Sequence, residues 1–236
     1  MKFKIKRRWD SQVKFTCELS KEYENKSYSL QLGAAIKIAI DQGANLQGAN
    51  LRRANLYGVN LYGVNLQGAN LQGANLQEAS LYGVNLQEAD LWEADLRRAN
   101  LRGTSLRRAN LQRASLYGAN LRGTSLREAN LQGANLQGAD LWEANLQEAD
   151  LWGQKLTIPP TQILGYRYFI LIAGNKMLIG CKLHNIEEWD TFKRDRISMM
   201  DKEAWDWWKE HKPLIMPIAK HHMGLHKLAE KGQVKE

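Results

Sequence analysis

The chain has 236 residues, 44% of them hydrophobic and 25% charged, with a formal net charge of +8. That is room for one large domain or two modest ones, with a composition ordinary for a globular protein. No run approaches the roughly 18 apolar residues of a membrane span, and two cysteines are too few for a disulfide framework.

The charge is uneven. Residues 1–40 carry net +5, residues 41–156 carry eleven basic against eleven acidic side chains, and residues 157–236 carry net +3. A basic excess confined to the ends is weak footing for nucleic-acid binding. The N-terminal "MKFKIKRRWD" has no apolar core and no cleavage site, so it does not read as a secretory signal. Cys17 and Cys181 lie in alternating apolar runs and read as buried free thiols, which fits a reducing cytoplasm.

In chain order, "FKI" and "VKFTC" alternate like two strands of a hairpin, with Phe3, Ile5, Val13, Phe15 and Cys17 on one buried face. "SLQLGAAIKIAIDQG" then places Leu32, Ala35, Ile36, Ala39 and Ile40 on one side of a helix that stops near Gly43. Residues 1–43 are thus an N-terminal hairpin and capping helix.

From Leu46 to Leu156 a leucine stands at every fifth position, 23 in all. On a helix, five residues turn by about 140°, which scatters leucines over every side. On a flat strand an odd step alternates faces. A continuous leucine row therefore needs a chain that bends inward once per five residues. Two before each leucine as far as Leu151 stands Ala, Val or Thr. One before it, from Asn45 to Asp150, stands Asn, Asp or Ser, which are turn formers; Gln154 and Lys155 end the pattern before Leu156. "LYGVNLQ" recurs at 61–67 and 81–87, and "LRGTSLR" at 101–107 and 121–127. This second period of twenty residues gives four bends per coil. It predicts five to six stacked coils over residues 44–158, a rod of roughly 25–30 Å at strand-like spacing.

The repeat A-N/D-L-x-x resembles the pentapeptide-repeat family over residues 44–153. The resemblance implies a mainly β protein, a right-handed quadrilateral β-helix solenoid. A solenoid needs caps, and residues 1–43 supply the first. Beyond it, residues 159–218 read as a small α+β module. "QILGYRYFILI–AGNK–MLIGCKL" is a hairpin turning near Gly174-Asn175. Asn185 and Glu188 form a capping box. "SMMDKEAWDWWKEHK" is a helix ending near Pro213, with Trp189, Trp205 and Trp208 packing it onto the hairpin. Residues 219–236 read as a basic, mobile tail. This order of cap, "GANL" repeats, "IGC" strand and tryptophan-rich helix is similar to pentapeptide-repeat proteins of bacteriophages and prophages.

No sequence pattern of a nucleophile elbow, phosphate loop, dinucleotide fold or zinc protease is present. His222 and His226, at i, i+4, are the one weak metal pair, better read as part of a solvated tail. The expectation is therefore no enzyme, no cofactor and no metal.

What remains is surface. Residues twenty apart stack Tyr62, Tyr82, Arg102, Arg122 and Trp142 into a ridge beside Gly63, Gly83, Gly103 and Gly123. Tyr, Trp and Arg are the types enriched at interface hot spots. An arginine belt, Arg97, Arg98, Arg102, Arg107, Arg108, Arg113, Arg122 and Arg127, crosses the middle between acidic bands that would screen it. The leading reading is a non-enzymatic scaffold for a protein partner, in a phage setting an inhibitor or regulator of a host or phage protein, with homodimerisation also open. The resemblance implies an alternative, since some family members mimic duplex DNA and bind DNA gyrase, inhibiting it or protecting it from quinolones. A rod of zero net charge fits that role poorly. Nucleic-acid binding through the basic ends is the third reading.

Overall fold

A computed structural model describes residues 1–199, 201 and 203–232. The chain divides into two compact units, Met1–Lys155 and Leu156–Glu236.

In the first unit, parallel bridges join residues twenty apart without a break from Asn50↔Asn70 to Ser125↔Asn145. Four five-residue segments therefore make one coil of a β-helical solenoid. All 23 leucines are buried. The bend between segments is a β-turn closed by the amide three after each leucine, as in Ala49 N to Leu46 O at 3.0 Å. Its third residue has positive φ throughout, as a type II turn requires. Glycine holds many of these positions, but glutamate and arginine hold others, such as Glu88 and Arg108 at φ 58° and 57°. The preceding Asn or Asp fixes the turn by accepting from the residue after leucine, as Asn45 Oδ1 does from Gln47 N at 2.9 Å.

Both ends of this sheet-like wall are paired rather than left open. At the start, strands β1 (Lys2–Lys6) and β2 (Val13–Glu18) form an antiparallel hairpin. Arg7 bridges Ala49, and Asn50 N donates to Lys6 O at 2.8 Å. Phe3, Ile5 and Cys17 are buried, but Val13 is exposed. The cause is a register shift between Ile5 and Lys6, which takes Val13 off the shared face. Helix α1 (Tyr28–Asp41) buries Leu32, Gly33, Ala35, Ile36 and Ala39, with Ile40 at the margin. Gly33 lies so close to the first coil that a methyl group there would sit 2.1 Å from Asn55 O. At the far end, the two-residue strands β3 (Asn130–Leu131) and β4 (Asp150–Leu151) pair in parallel. The chain then reverses over Trp152 and Gly153, at φ 57° and 73°, so that β5 (Gln154–Lys155) pairs antiparallel with β4. Positive φ at both turn residues is the type I′ hairpin signature.

The second unit is an antiparallel sheet of four strands in sequence order: β6 (Thr161–Ile163), β7 (Ile170–Ala173), β8 (Lys176–Ile179) and β9 (Lys182–Asn185). The expected hairpin is β7–β8, turning at Gly174-Asn175, and β6 and β9 extend it on either edge. Helices α2 (Ile186–Thr191), α3 (Arg194–Ser198) and α4 (Ala204–Glu230) follow. Asn185 N donates to Glu188 Oε2 at 2.9 Å at the start of α2. The core gathers Ile170, Ile172, Met177, Ile179, Trp189 and Trp208, and Trp189 Nε1 donates to Met177 O at 2.8 Å.

Two expectations fail here. Helix α4 does not stop at Pro213 but continues through Pro213 and Pro217 to Glu230, so no mobile tail begins at 219. Both prolines are exposed, where water can satisfy the carbonyls they leave free, while Ile215, Met216, Ala219, His222 and His226 are buried on the other side. That burial outweighs an interior proline's cost of about 3 kcal/mol. The tail's last four residues, 233–236, lie outside the described residues. Cys181 is exposed, not buried. It occupies the two-residue loop Gly180-Cys181 between paired Ile179 and Lys182, where no sheet face can cover it.

Candidate functional site

The twenty-residue register stacks each residue after a leucine on its counterpart one coil away. The turn aims these side chains outward. The amides of Tyr62, Arg102, Arg122 and Trp142 donate to Asn60, Asn100, Asn120 and Asp140 at 3.0, 3.2, 3.1 and 3.0 Å. Tyr62 and Tyr82 stack at 5.7 Å between ring centroids and 8° between planes. The Arg122 guanidinium lies 5.8 Å from the Trp142 ring centroid and 3.5 Å from Asp140. Tyr62, Tyr82 and Trp142 are exposed.

Beside them run Gly63, Gly83, Gly103 and Gly123, each at positive φ, with no neighbouring atom within 4 Å of the place a side chain would begin. The shelf is rigid, because successive coils bond through it: Gly83 N to Arg102 O, Gly103 N to Arg122 O, and Gly123 N to Trp142 O, at 3.1, 3.0 and 2.9 Å. Beneath it, the buried hydroxyls of Thr104 and Thr124 donate to Leu81 O and Leu101 O at 2.6 and 2.7 Å.

The arginine belt runs around the rod rather than along one face, since its residues fall on all four sides of the coil. Most of it is neutralised locally. Arg97 meets Asp95 at 2.7 Å, Arg98 meets Glu78 at 4.0 Å, and Arg113 meets Glu93 at 3.5 Å. Arg108, Arg127 and Arg107 surround Glu128 at 2.6, 3.5 and 3.9 Å. The Arg108 hydrogen bond holds the Glu128 carboxyl below the usual range. Among the described residues, Arg102 is the belt arginine without a carboxylate partner.

Sequence reasoning missed a related arrangement on another side of the rod. Trp9 lies over Gly48 and Gly68, whose added methyl groups would fall 2.9 and 3.0 Å from its ring. Arg8 stacks on Trp9 at 5.6 Å and reaches the nearly buried Asp90 at 3.0 Å. Asp90 also accepts from Gln72 and Asn110, at 2.6 and 3.1 Å. The signals were an aspartate in an asparagine column and a lone tryptophan after two arginines. Neither names its partner without the register.

His222 and His226 are buried in α4. Their Nδ1 atoms pair with the hydroxyls of Thr161 and Thr157 at 3.1 and 2.7 Å. They are structural members of the second unit, not a solvated pair. Among the described residues no three His, Cys, Asp or Glu side chains gather as a metal set, and no helix is long and apolar enough to cross a membrane.

Residues 42–73, 74–113 and 114–153 match the family described as pentapeptide repeats. The chain is 31% identical to alr5209, a pentapeptide repeat protein from Nostoc PCC 7120, over 47% of this chain and 93% of that one, with a TM-score of 0.36. It is 38% identical to HetL, a pentapeptide repeat protein involved in heterocyst differentiation regulation in Nostoc sp. strain PCC 7120, with a TM-score of 0.38. That match covers 47% of this chain and spans about half of HetL, 54%. QnrB1, a plasmid-mediated fluoroquinolone resistance protein, is 18% identical over 45% of this chain and 60% of its own, with a TM-score of 0.36. No curated protein sequence matches the chain. The chain belongs to the pentapeptide-repeat family.

Proposed function

We propose that this chain is a non-enzymatic binding scaffold of the cytoplasm. Its right-handed, four-sided rod, residues 44–158, presents the column Tyr62, Tyr82, Arg102, Arg122, Trp142 and the adjoining glycine shelf to a protein partner. Residues 1–43 cap the rod, and the second unit, whose helix α4 runs on to Glu230, is the accessory module. The observation that carries this reading is Trp9. The chain seats an aromatic ring of its own on one glycine pair, Gly48 and Gly68, and leaves Gly83, Gly103 and Gly123 bare in the same backbone geometry. A partner's aromatic side chain fits that shelf, with a carboxylate beside it opposite Arg102. The wall is fixed by hydrogen bonds before binding, so little ordering entropy is lost. In a phage setting the partner is a host or phage protein and the scaffold its inhibitor or regulator.

The test is a pull-down from bacterial lysate with wild type, Tyr62→Ala/Tyr82→Ala, and Gly103→Glu. The last fills the shelf at a backbone conformation that Glu88 already occupies. A partner held by wild type and lost by both folded variants is the expected result. A partner retained equally by the variants overturns the site, as does the absence of any partner. Gyrase supercoiling assayed with excess protein separates off DNA mimicry. Inhibition that survives Gly103→Glu would replace this reading.

A further inference from the structure

The second unit holds a cavity of about 280 Å³ where strand β9 meets helices α2 and α3. Strand β9 is the edge of its sheet and pairs only with β8. Trp189 and Ile197, both buried, form the floor. Three aromatic rings line the space. His184 stands nearly perpendicular to Trp189 and to Phe192, at 84° and 88°, with ring centroids 5.5 and 4.8 Å away. Trp189 and Phe192 lie 5.3 Å apart. Such a corner offers ring faces and ring edges to a further planar ring. Trp189 Nε1 already donates to Met177 O, so the floor needs no polar partner.

The rim is cationic. Arg196 lies over Phe192 at 5.5 Å, and Lys182 stands at the mouth, both exposed. Among the described residues neither makes an ion pair. The cavity lining contains no Asp or Glu. Glu188 comes within 3.8 Å of His184 Nδ1, but its Oε2 accepts from the Asn185 amide. Burial holds the His184 imidazole below its ordinary value. Glu188 works against this, and the Arg196 and Lys182 charges reinforce it. Both cations therefore bear on one ring of the lining. At neutral pH that ring is uncharged, and it can hydrogen-bond a ligand without adding charge.

We propose that this cavity binds a small planar aromatic acid, its ring against Trp189, Phe192 and His184 and its carboxylate at Arg196 and Lys182. Size sets the scale. Ligand clefts run from about 300 Å³ upward, so this one takes a single ring or two fused rings. Charge sets the sign. A neutral arene leaves two cations unanswered, and an aromatic cation meets them as like charges. A guanidinium stacked on an aromatic face is suited to a carboxylate, which it can hold through two parallel hydrogen bonds. The site lies wholly within the second unit and does not depend on the column of the rod.

Isothermal titration calorimetry of the full chain with indole-3-acetate tests it, with indole and tryptamine as neutral and cationic counterparts. The acid is expected to bind with a Kd of about 10–300 µM, and the other two about tenfold more weakly or worse. Arg196→Gln, its fold verified by circular dichroism, is expected to weaken the acid about tenfold and leave indole unchanged. A thiol at the rim locates the site. Cys181 is exposed and Cys17 buried, so maleimide labelling reads Cys181, and saturating indole-3-acetate should slow it severalfold. An acid that gives neither heat nor protection at about 5 mM overturns the proposal. Binding that leaves Cys181 labelling unchanged overturns the site. Indole or tryptamine held as tightly as the acid, or an Arg196→Gln chain that holds the acid unimpaired, overturns the choice of an anion.

Discussion

At the scale of single residues, the repeat leaves little slack. Thr104 stands one coil after Val84 in the same column, and its buried hydroxyl donates to Leu81 O at 2.6 Å. Thr104→Val keeps the shape and loses one hydrogen bond, so chemical denaturation should show a loss of about 1 kcal/mol. Glu143 takes positive φ, at 57°. A side chain there costs roughly 1–2 kcal/mol in backbone strain, partly offset by the entropy a glycine would lose. Glu143→Gly is therefore expected to stabilise the rod by about 0.5–1 kcal/mol, read by the same denaturation experiment. The unequal legibility of residues follows from the same geometry. Leucine burial could be read directly, because a five-residue period admits one kind of backbone. Asp90 could not, because its partners Arg8, Gln72 and Asn110 come from three other stretches of chain.

At the scale of elements, the caps and the second unit carry the surprises. Helix α1 was legible as an apolar stripe, but the role of Gly33 was not, since a helical glycine gives no sign of what approaches it. Gly33→Ala forces the helix off Asn55 O and should cost about 3 kcal/mol, seen as a lowered Tm. In α4, two prolines hid a helix of 27 residues. The i, i+4 histidines that suggested a metal pair instead mark its buried side. Burial pushes the His222 imidazole down to about 4, helped by nearby His226 and His221. The neutral ring is the folded form, so an unfolded chain binds more protons below the ordinary value of 6.5. Stability from this site is full above pH 6.5 and falls as the pH drops toward 4. Thermal melts across that range should show the second unit weakening, and His222→Gln should flatten the trend.

At the scale of the whole molecule, the two units bury separate cores. One is dominated by the leucine stack, the other by a tryptophan cluster around Trp189 and Trp208. Calorimetry should resolve two transitions. Thr104→Val is expected to move only the one assigned to the rod, and His222→Gln only the other. A single transition moved by both variants would contradict this independence. The charge pattern follows the same division, since the rod's basic and acidic side chains balance within it.

The register of twenty residues has a consequence for how such a surface can change. Inserting one unit, for example five residues after Leu91, preserves the leucine period and its core. It also carries every later side chain a quarter turn around the rod. Tyr62 and Tyr82 would stay where they are while Arg102, Arg122 and Trp142 moved to the neighbouring side. A twenty-residue duplication would instead lengthen every column by one and keep the sides in phase. Lengthening in multiples of four units thus extends the pattern a partner reads. Any other whole number of units deals it out afresh over an unchanged interior.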